Sequence, residues 1–267
     1  MTFLQAAVLG LVQGLCEFLP VSSSGHLVLL QRMFGITEGA LFFSVMLHIG
    51  TLFAVLIAFR KTIWQILRHP FQKLLGYVVL ATVPTVVITL IFGSWFESMY
   101  DGSVLGVSFL ITSLILWLAE AVARRNAEKK RPVKGLAEMR PMDAVAIGCM
   151  QGVAVLPGVS RSGSTISAAL MCGLDRSFAA EFSFLMSIPA ILGSALLEGV
   201  DLAQAGFGSV EWGPVLLGMA VAFAAGWFSI NWMLKLIKKG GLKWFGVYTA
   251  VLGALIIFDG LVTHLYF

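Results

Sequence analysis

Six apolar runs, each about long enough to cross a bilayer as a helix, leave this chain few ways to fold. They fall at about 40–59, 74–93, 103–123, 177–197, 213–237 and 244–263, and roughly 20 apolar residues span the hydrocarbon core. Charged residues make up only 12% of the chain, against about 25% in a soluble domain. The runs carry ordinary Gly and Pro and show no strict alternation, so helices are expected rather than a membrane barrel. Pro84 predicts a kink in the second run. The N-terminal run meets Glu17 and Pro20 with no basic segment ahead of it and no small-residue cleavage site, so it reads as part of the fold and not as a leader. Cys16, Cys149 and Cys172 all lie in apolar stretches, which argues against a disulfide framework.

Two further apolar stretches are too short to span and are broken in the middle. The first runs over residues 2–34 and breaks at Leu19–Gly25, within QGLCEFLPVSSSGH, Gln13 to His26. The second runs over 142–173 and breaks around Pro157–Gly163, within QGVAVLPGVSRSGST, Gln151 to Thr165. Shifted by 138 positions, Gly10, Gln13, Gly14, Val21, Ser22, Ser24 and Gly25 fall on Gly148, Gln151, Gly152, Val159, Ser160, Ser162 and Gly163. The chain therefore reads as two copies of one unit, each a re-entrant helical hairpin followed by three spans. The expected division is a first repeat over 1–123, a basic linker over 124–141 and a second repeat over 142–267.

Charge gives the second copy its orientation. Fifteen of the 18 Lys and Arg fall in 60–73, 124–140 and 235–243. The span count puts these three segments on one side, which the positive-inside rule makes cytoplasmic. Glu38, Glu97, Asp101, Glu198, Asp201 and Glu211 fall opposite, with Arg32 as the only base. Both termini then lie outside. Three spans per copy is an odd number, so the second copy is inverted and the two hairpin tips can meet inside the bilayer: an interdigitated inverted repeat. The basic residues sit in short loops between spans, so no nucleic-acid partner is expected.

Backbone groups freed inside hydrocarbon must be buried in protein or line a polar cavity. Ser- and Gly-rich tips that open helices expose N–H groups whose dipole favours an anion. The copies differ where chemistry would sit: Glu17 faces Val155, Ser23 faces Arg161 and His26 faces Ser164. An Arg at membrane depth is costly and marks a functional site with a partner, and its forked donors suit phosphate oxygens. One Arg, one carboxylate, one His and two serine tips describe a pocket for a phosphorylated lipid head group. The plainer alternatives are that Ser and Gly serve only close helix packing, and that Glu17 is simply the structural partner of Arg161. His48, mid-span opposite Ser187, reads as an interhelical hydrogen bonder. Glu181 reads as a site rim or a structural acceptor, and Asp143 and Asp175 as helix-end residues.

At these segments the sequence resembles the undecaprenyl-pyrophosphate phosphatases of the bacitracin-resistance type. The matching elements are Gln13, Glu17 and Pro20–His26, then Pro157–Thr165, with EFSF at 181–184 and the basic mid-chain linker in support. The resemblance implies a multi-pass protein of the bacterial cytoplasmic membrane. It would dephosphorylate the C55 isoprenoid pyrophosphate, recycling the lipid carrier for cell-wall synthesis, at a site opening to the extracytoplasmic face. It implies a divalent cation, Mg2+ or Ca2+. Some members carry Glu where this chain has Gln13, so Glu17, with Gln13 at most a weak second ligand, would share the ion with substrate oxygens. On this reading Ser23 attacks, His26 serves as base and then acid, and Glu17 holds the metal or orients the His. Arg161, Ser160, Ser162 and Thr165 clamp the phosphates, with Ser22 and Ser24 in the same cradle. Direct attack by water, with Ser23 as a ligand, fits the sequence equally well. The partners expected are the polyprenyl pyrophosphate and membrane lipids, with the protein a monomer or homodimer. Two rivals remain at this stage: a type 2 phosphatidic-acid phosphatase, whose PSGH and SR elements are echoed here, and a polyprenyl-phosphate transporter or flippase.

Overall fold

Thr2 opens the first helix with a reciprocal cap. Its Oγ1 accepts from the Gln5 N–H at 3.2 Å, and Gln5 Oε1 accepts from the Thr2 N–H at 2.9 Å. From there a computed structural model describes residues 1–36, 39–205 and 210–267, without the side chains of 97, 101, 198, 199 and 201–205. Of the acidic residues read as one-sided, Glu38 and the side chains of Glu97, Asp101, Glu198 and Asp201 lie outside this description.

The helices in order are α1 (Phe3–Phe18), α2 (Ser23–Met33), α3 (Ala40–Ala58), α4 (Arg60–Arg68), α5 (Lys73–Ser98) and α6 (Leu105–Glu128). The chain continues with α7 (Pro141–Val153), α8 (Arg161–Met171), α9 (Arg176–Ala205), α10 (Trp212–Lys238) and α11 (Leu242–Phe258). Among the described residues there is no strand; one isolated bridge, Lys134 to Leu174, ties the linker to the turn after α8. Six helices are long and apolar enough to cross a membrane: α3, α5, α6, α9, α10, and α11 with its terminal turn. They are the six apolar runs of the sequence, and the protein is an all-helical, multi-pass membrane protein.

The ends of these helices overrun the apolar runs. α5 continues to Ser98 and α6 to Glu128, because a helix keeps its backbone bonds after its side chains turn polar at the interface. The basic segment after α3 is itself partly helical. α4 buries none of its residues and exposes Trp64 and Leu67, as an interfacial amphipathic helix does.

The short helices are held in the interior by close approach. α1 packs along α10, and α7 along α5. A Cβ added to Gly148 would lie 2.0 Å from the Ala81 carbonyl oxygen, and one added to Gly10 would lie 2.4 Å from that of Gly218. Only glycine admits such backbone contact. Around these contacts a core forms from Phe18, Leu116, Ile147, Ile166, Phe182 and Met233. Asp143 and Asp175 are helix-end residues as expected. Asp143 accepts from the Arg140 N–H at 2.9 Å, and Asp175 from the N–H groups of Ser177 at 2.8 Å and Phe178 at 3.0 Å.

Candidate active site

A proline lies in each break, Pro20 after α1 and Pro157 after α7, and a serine caps the helix that follows. Ser22 caps α2 by accepting from the Gly25 N–H at 3.3 Å, and Ser160 caps α8 by accepting from the Gly163 N–H at 3.0 Å. The two breaks touch. Ser162 donates to the Leu19 carbonyl at 3.0 Å, and a Cβ on Gly25 would lie 2.8 Å from the Gly158 Cα. Behind them Thr112 of α6 donates to the Gly158 carbonyl and accepts from the Ser160 N–H, both at 2.9 Å. Backbone groups at both breaks are thus bonded within protein, as depth in a membrane demands.

Glu17, on the last turn of α1, is the hub. Its Oε2 accepts from Ser23 Oγ at 2.6 Å and from Gln13 Nε2 at 2.9 Å, and His48 Nε2 stands 3.4 Å away. Its Oε1 pairs with the Arg161 guanidinium. The Glu17 side chain is 2% exposed and that of Arg161 20%, so the carboxylate is buried and the arginine side chain is largely covered as well. A cleft beside them is lined by Glu17, Arg161 and Ser162 with Phe18, Ser183, Phe184 and Ser187. Ser183 Oγ lies 2.6 Å from Thr165 Oγ1, which also donates to the Arg161 carbonyl at 2.8 Å.

The residues expected at the site divide into two groups. Glu17, Ser23, Gln13, Arg161 and Ser162 converge, with Thr165 one hydroxyl behind. Ser22 and Ser160 accept the cap bonds of α2 and α8, and Ser24 Oγ lies 3.4 Å from Ser22 Oγ; none of the three lines the cleft. His26 is near in sequence to Ser23 but bonded elsewhere. Its Nδ1 lies 2.7 Å from the Ser22 carbonyl and its Nε2 2.6 Å from the Tyr248 hydroxyl on α11. The structure therefore brings Ser23 to Glu17 and not to His26: positions three apart share a helix face, but both imidazole nitrogens are taken by the Ser22 carbonyl and the Tyr248 hydroxyl. Glu181 accepts from Thr62 Oγ1 at 3.2 Å, an acceptor between α9 and α4.

Three participants escaped the sequence reading in whole or part. His48 makes the interhelical contact expected of it, but with Glu17; its Nδ1 lies 2.7 Å from the Ser44 carbonyl. Ser183 carried a signal, since it belongs to the EFSF stretch at 181–184, but its place at the cleft did not follow from that. Tyr248 carried none.

The residues also bear on a divalent cation. Gln13 Oε1 is buried with no hydrogen-bond partner beside the Glu17 carboxylate, and an uncommitted oxygen next to a carboxylate suits a hard cation. Among the described residues no group of three His, Cys, Asp or Glu gathers. The donor set therefore fits an ion with one carboxylate and one amide oxygen from the protein.

Comparison with known proteins adds to this geometry. A family model described as bacitracin resistance protein BacA matches residues 6–255. An undecaprenyl-diphosphatase of Carboxydothermus hydrogenoformans is 46% identical over 260 residues, covering 96% of this chain and 97% of the relative. Undecaprenyl-diphosphatase 4 of Bacillus cereus is 41% identical over 258 residues, covering 96% and 97%. An undecaprenyl-diphosphatase of Methanobrevibacter smithii is 37% identical over 289 residues, covering the whole of both chains.

Proposed function

The chain belongs to the bacitracin resistance protein BacA family, and from that premise we propose that it hydrolyses undecaprenyl pyrophosphate to undecaprenyl phosphate and inorganic phosphate. The product is the lipid carrier of cell-wall synthesis, and its recovery confers resistance to bacitracin. The observation that carries this reading is the line of contacts from Ser23 through Glu17 to Arg161: a hydroxyl on a carboxylate on a guanidinium, at the meeting of two helix breaks and beside a small cleft.

In the reaction Ser23 Oγ attacks the terminal phosphorus of the pyrophosphate, forming an O–P bond as the bridging P–O bond breaks and undecaprenyl phosphate leaves. Glu17 Oε2, which already accepts the Ser23 proton at 2.6 Å, takes that proton. Water then cleaves the phosphoserine, releasing inorganic phosphate and restoring the hydroxyl. Arg161 neutralises and orients the phosphoryl oxygens, and Ser162, which lines the cleft, turns its hydroxyl from the Leu19 carbonyl to one of them. Glu17 and Gln13 would hold a divalent cation, Mg2+ or Ca2+, which supplies further neutralising charge when bound. This reading gives the base's role to Glu17, since both nitrogens of His26 are engaged elsewhere.

The repeat organisation belongs to the same proposal: repeats over 1–123 and 142–267 joined by the basic linker 124–141, the second inverted. Its support is a contact pattern that repeats at the sequence offset. Gly14 approaches Gly226, and Gly152 approaches Ile88; both pairs of partners stand 138 positions apart. The basic loops face the cytoplasm and the cleft opens to the other side of the bacterial inner membrane.

The test is phosphate release by the purified protein in detergent. Undecaprenyl pyrophosphate should yield one phosphate per molecule and undecaprenyl phosphate none. Glu17→Gln should lower turnover by about 10²–10⁴-fold, the usual worth of a general base. Wild-type protein that releases no phosphate sinks the reading and favours transport.

A further inference from the structure

We infer that Tyr248 is a positioning residue, holding the Ser22–Ser23 tip for reaction through His26. The inference rests on the phosphatase reading above, but the geometry beneath it is independent. The Ser22 carbonyl can only accept, so His26 Nδ1, 2.7 Å away, carries a hydrogen. A neutral imidazole with Nδ1 protonated has its lone pair on Nε2, and that lone pair meets the Tyr248 hydroxyl at 2.6 Å. The two rings lie parallel within 4°, and Phe109 meets the imidazole edge-on at 88°. The His26 ring is therefore fixed at both nitrogens and from one side.

What the ring holds is a strained turn. Ser22 has φ +69° and ψ +93°, a conformation that residues with a Cβ rarely adopt and that persists only when the surroundings enforce it. Its carbonyl is held by the His26 Nδ1–H, and by the His26 backbone N–H at 3.2 Å. The next residue is Ser23, whose hydroxyl must stay 2.6 Å from Glu17 to react. Tyr248, from the far end of the chain, thereby sets the position of the nucleophile without touching it. Arg161 and Ser162 sit at the start of α8, tied to Glu17 and to the Leu19 carbonyl and not to the Ser22 carbonyl that His26 holds.

Tyr248→Phe is the probe, because it keeps the ring and removes only the hydroxyl. The expected result is a fall in kcat of roughly 5- to 30-fold, the scale of one lost interaction. KM should change by less than about twofold, since the remaining phosphate contacts preserve ground-state binding. His26→Ala should be impaired, and adding Tyr248→Phe to it should cost nothing further, as two residues acting through one contact require. Unchanged kcat in Tyr248→Phe beside an active wild type, or full additivity in the double variant, overturns the inference. A second readout stands apart from turnover. In protein with ¹⁵N-labelled histidine in micelles, the resonances that vanish in His26→Ala should show a protonated Nδ1 and a hydrogen-bonded Nε2. The Nε2 resonance should shift in Tyr248→Phe. An inactive wild type that keeps this signature defeats the phosphatase reading alone; identical His26 resonances in both proteins defeat the role of Tyr248.

Discussion

Glu17, on the last turn of α1 before the first break, forms a buried ion pair with Arg161, the first residue of α8 after the second break. This one contact joins the two short-helix units and places a carboxylate, already carrying the Ser23 hydroxyl, against a cation whose forked donors suit phosphate oxygens. The pair serves structure and chemistry together, and variants can separate the two.

Arg161→Ala leaves the Glu17 carboxylate buried without its cation, a loss of about 3–5 kcal/mol for a buried pair. The detergent-solubilised protein should melt well below wild type. Combining it with Glu17→Gln removes the stranded charge and should recover part of the loss in the same melt. Arg161→Lys keeps the charge but not the fork, so it should melt close to wild type while losing turnover nearly as far as Arg161→Ala. A Lys variant of wild-type activity would mean that Arg161 supplies only diffuse charge.

Gly148→Ala should yield little folded protein, because its methyl would sit 2.0 Å from the Ala81 carbonyl oxygen and neither helix backbone can give way. Gly193, within α9, has nothing within 4 Å of such a methyl. Gly193→Ala should fold normally and gain up to about 1 kcal/mol from helix propensity. Monodisperse yield on gel filtration in detergent is the measure, and equal yields would show that α7 and α5 do not pack as closely as described.

Sidedness gives a cheaper check. A reporter fused after Lys129 should report cytoplasm and one at the C-terminus the outside, because three spans lie between them. The same signal from both positions would remove the inverted arrangement.

How much of this could be read beforehand depended on whether local chemistry or a distant partner decides the matter. Pro20 and Pro157 with their flanking serines marked the helix breaks, since proline and capping residues act through their own backbone. The six spans were legible for the same reason, though not their ends, where α5 and α6 run on past the apolar residues. Arg161, Glu17 and Ser23 stood out as costly or reactive groups in apolar surroundings. His26 stood out as well, but its orientation was hidden: Tyr248, 222 positions away, decides which way the ring points. His48 likewise looked like any polar residue in a span until α3 brought it to Glu17.

The nucleophile itself can be decided by substitution at Ser23, with Ser22 and Ser24 as controls for the packing of the tip. Ser22→Ala removes the cap of α2 and should cost about 1 kcal/mol of stability, and Ser24, away from the cleft, should matter little to turnover. If Ser23 attacks, Ser23→Ala removes the covalent route, and turnover should fall by orders of magnitude while pyrophosphate still binds through Arg161 and Ser162. If water attacks directly, the variant loses only one hydrogen bond to Glu17, about 1–3 kcal/mol or roughly ten- to a hundredfold. Ser23→Ala also leaves Glu17 bonded by Gln13 and paired with Arg161, so the fold has no reason to suffer, and a detergent melt verifies that. The deciding measurement is phosphate release at saturating substrate. A loss below about a hundredfold in a protein that melts like wild type would retire the serine nucleophile and assign the attack to a water activated by Glu17.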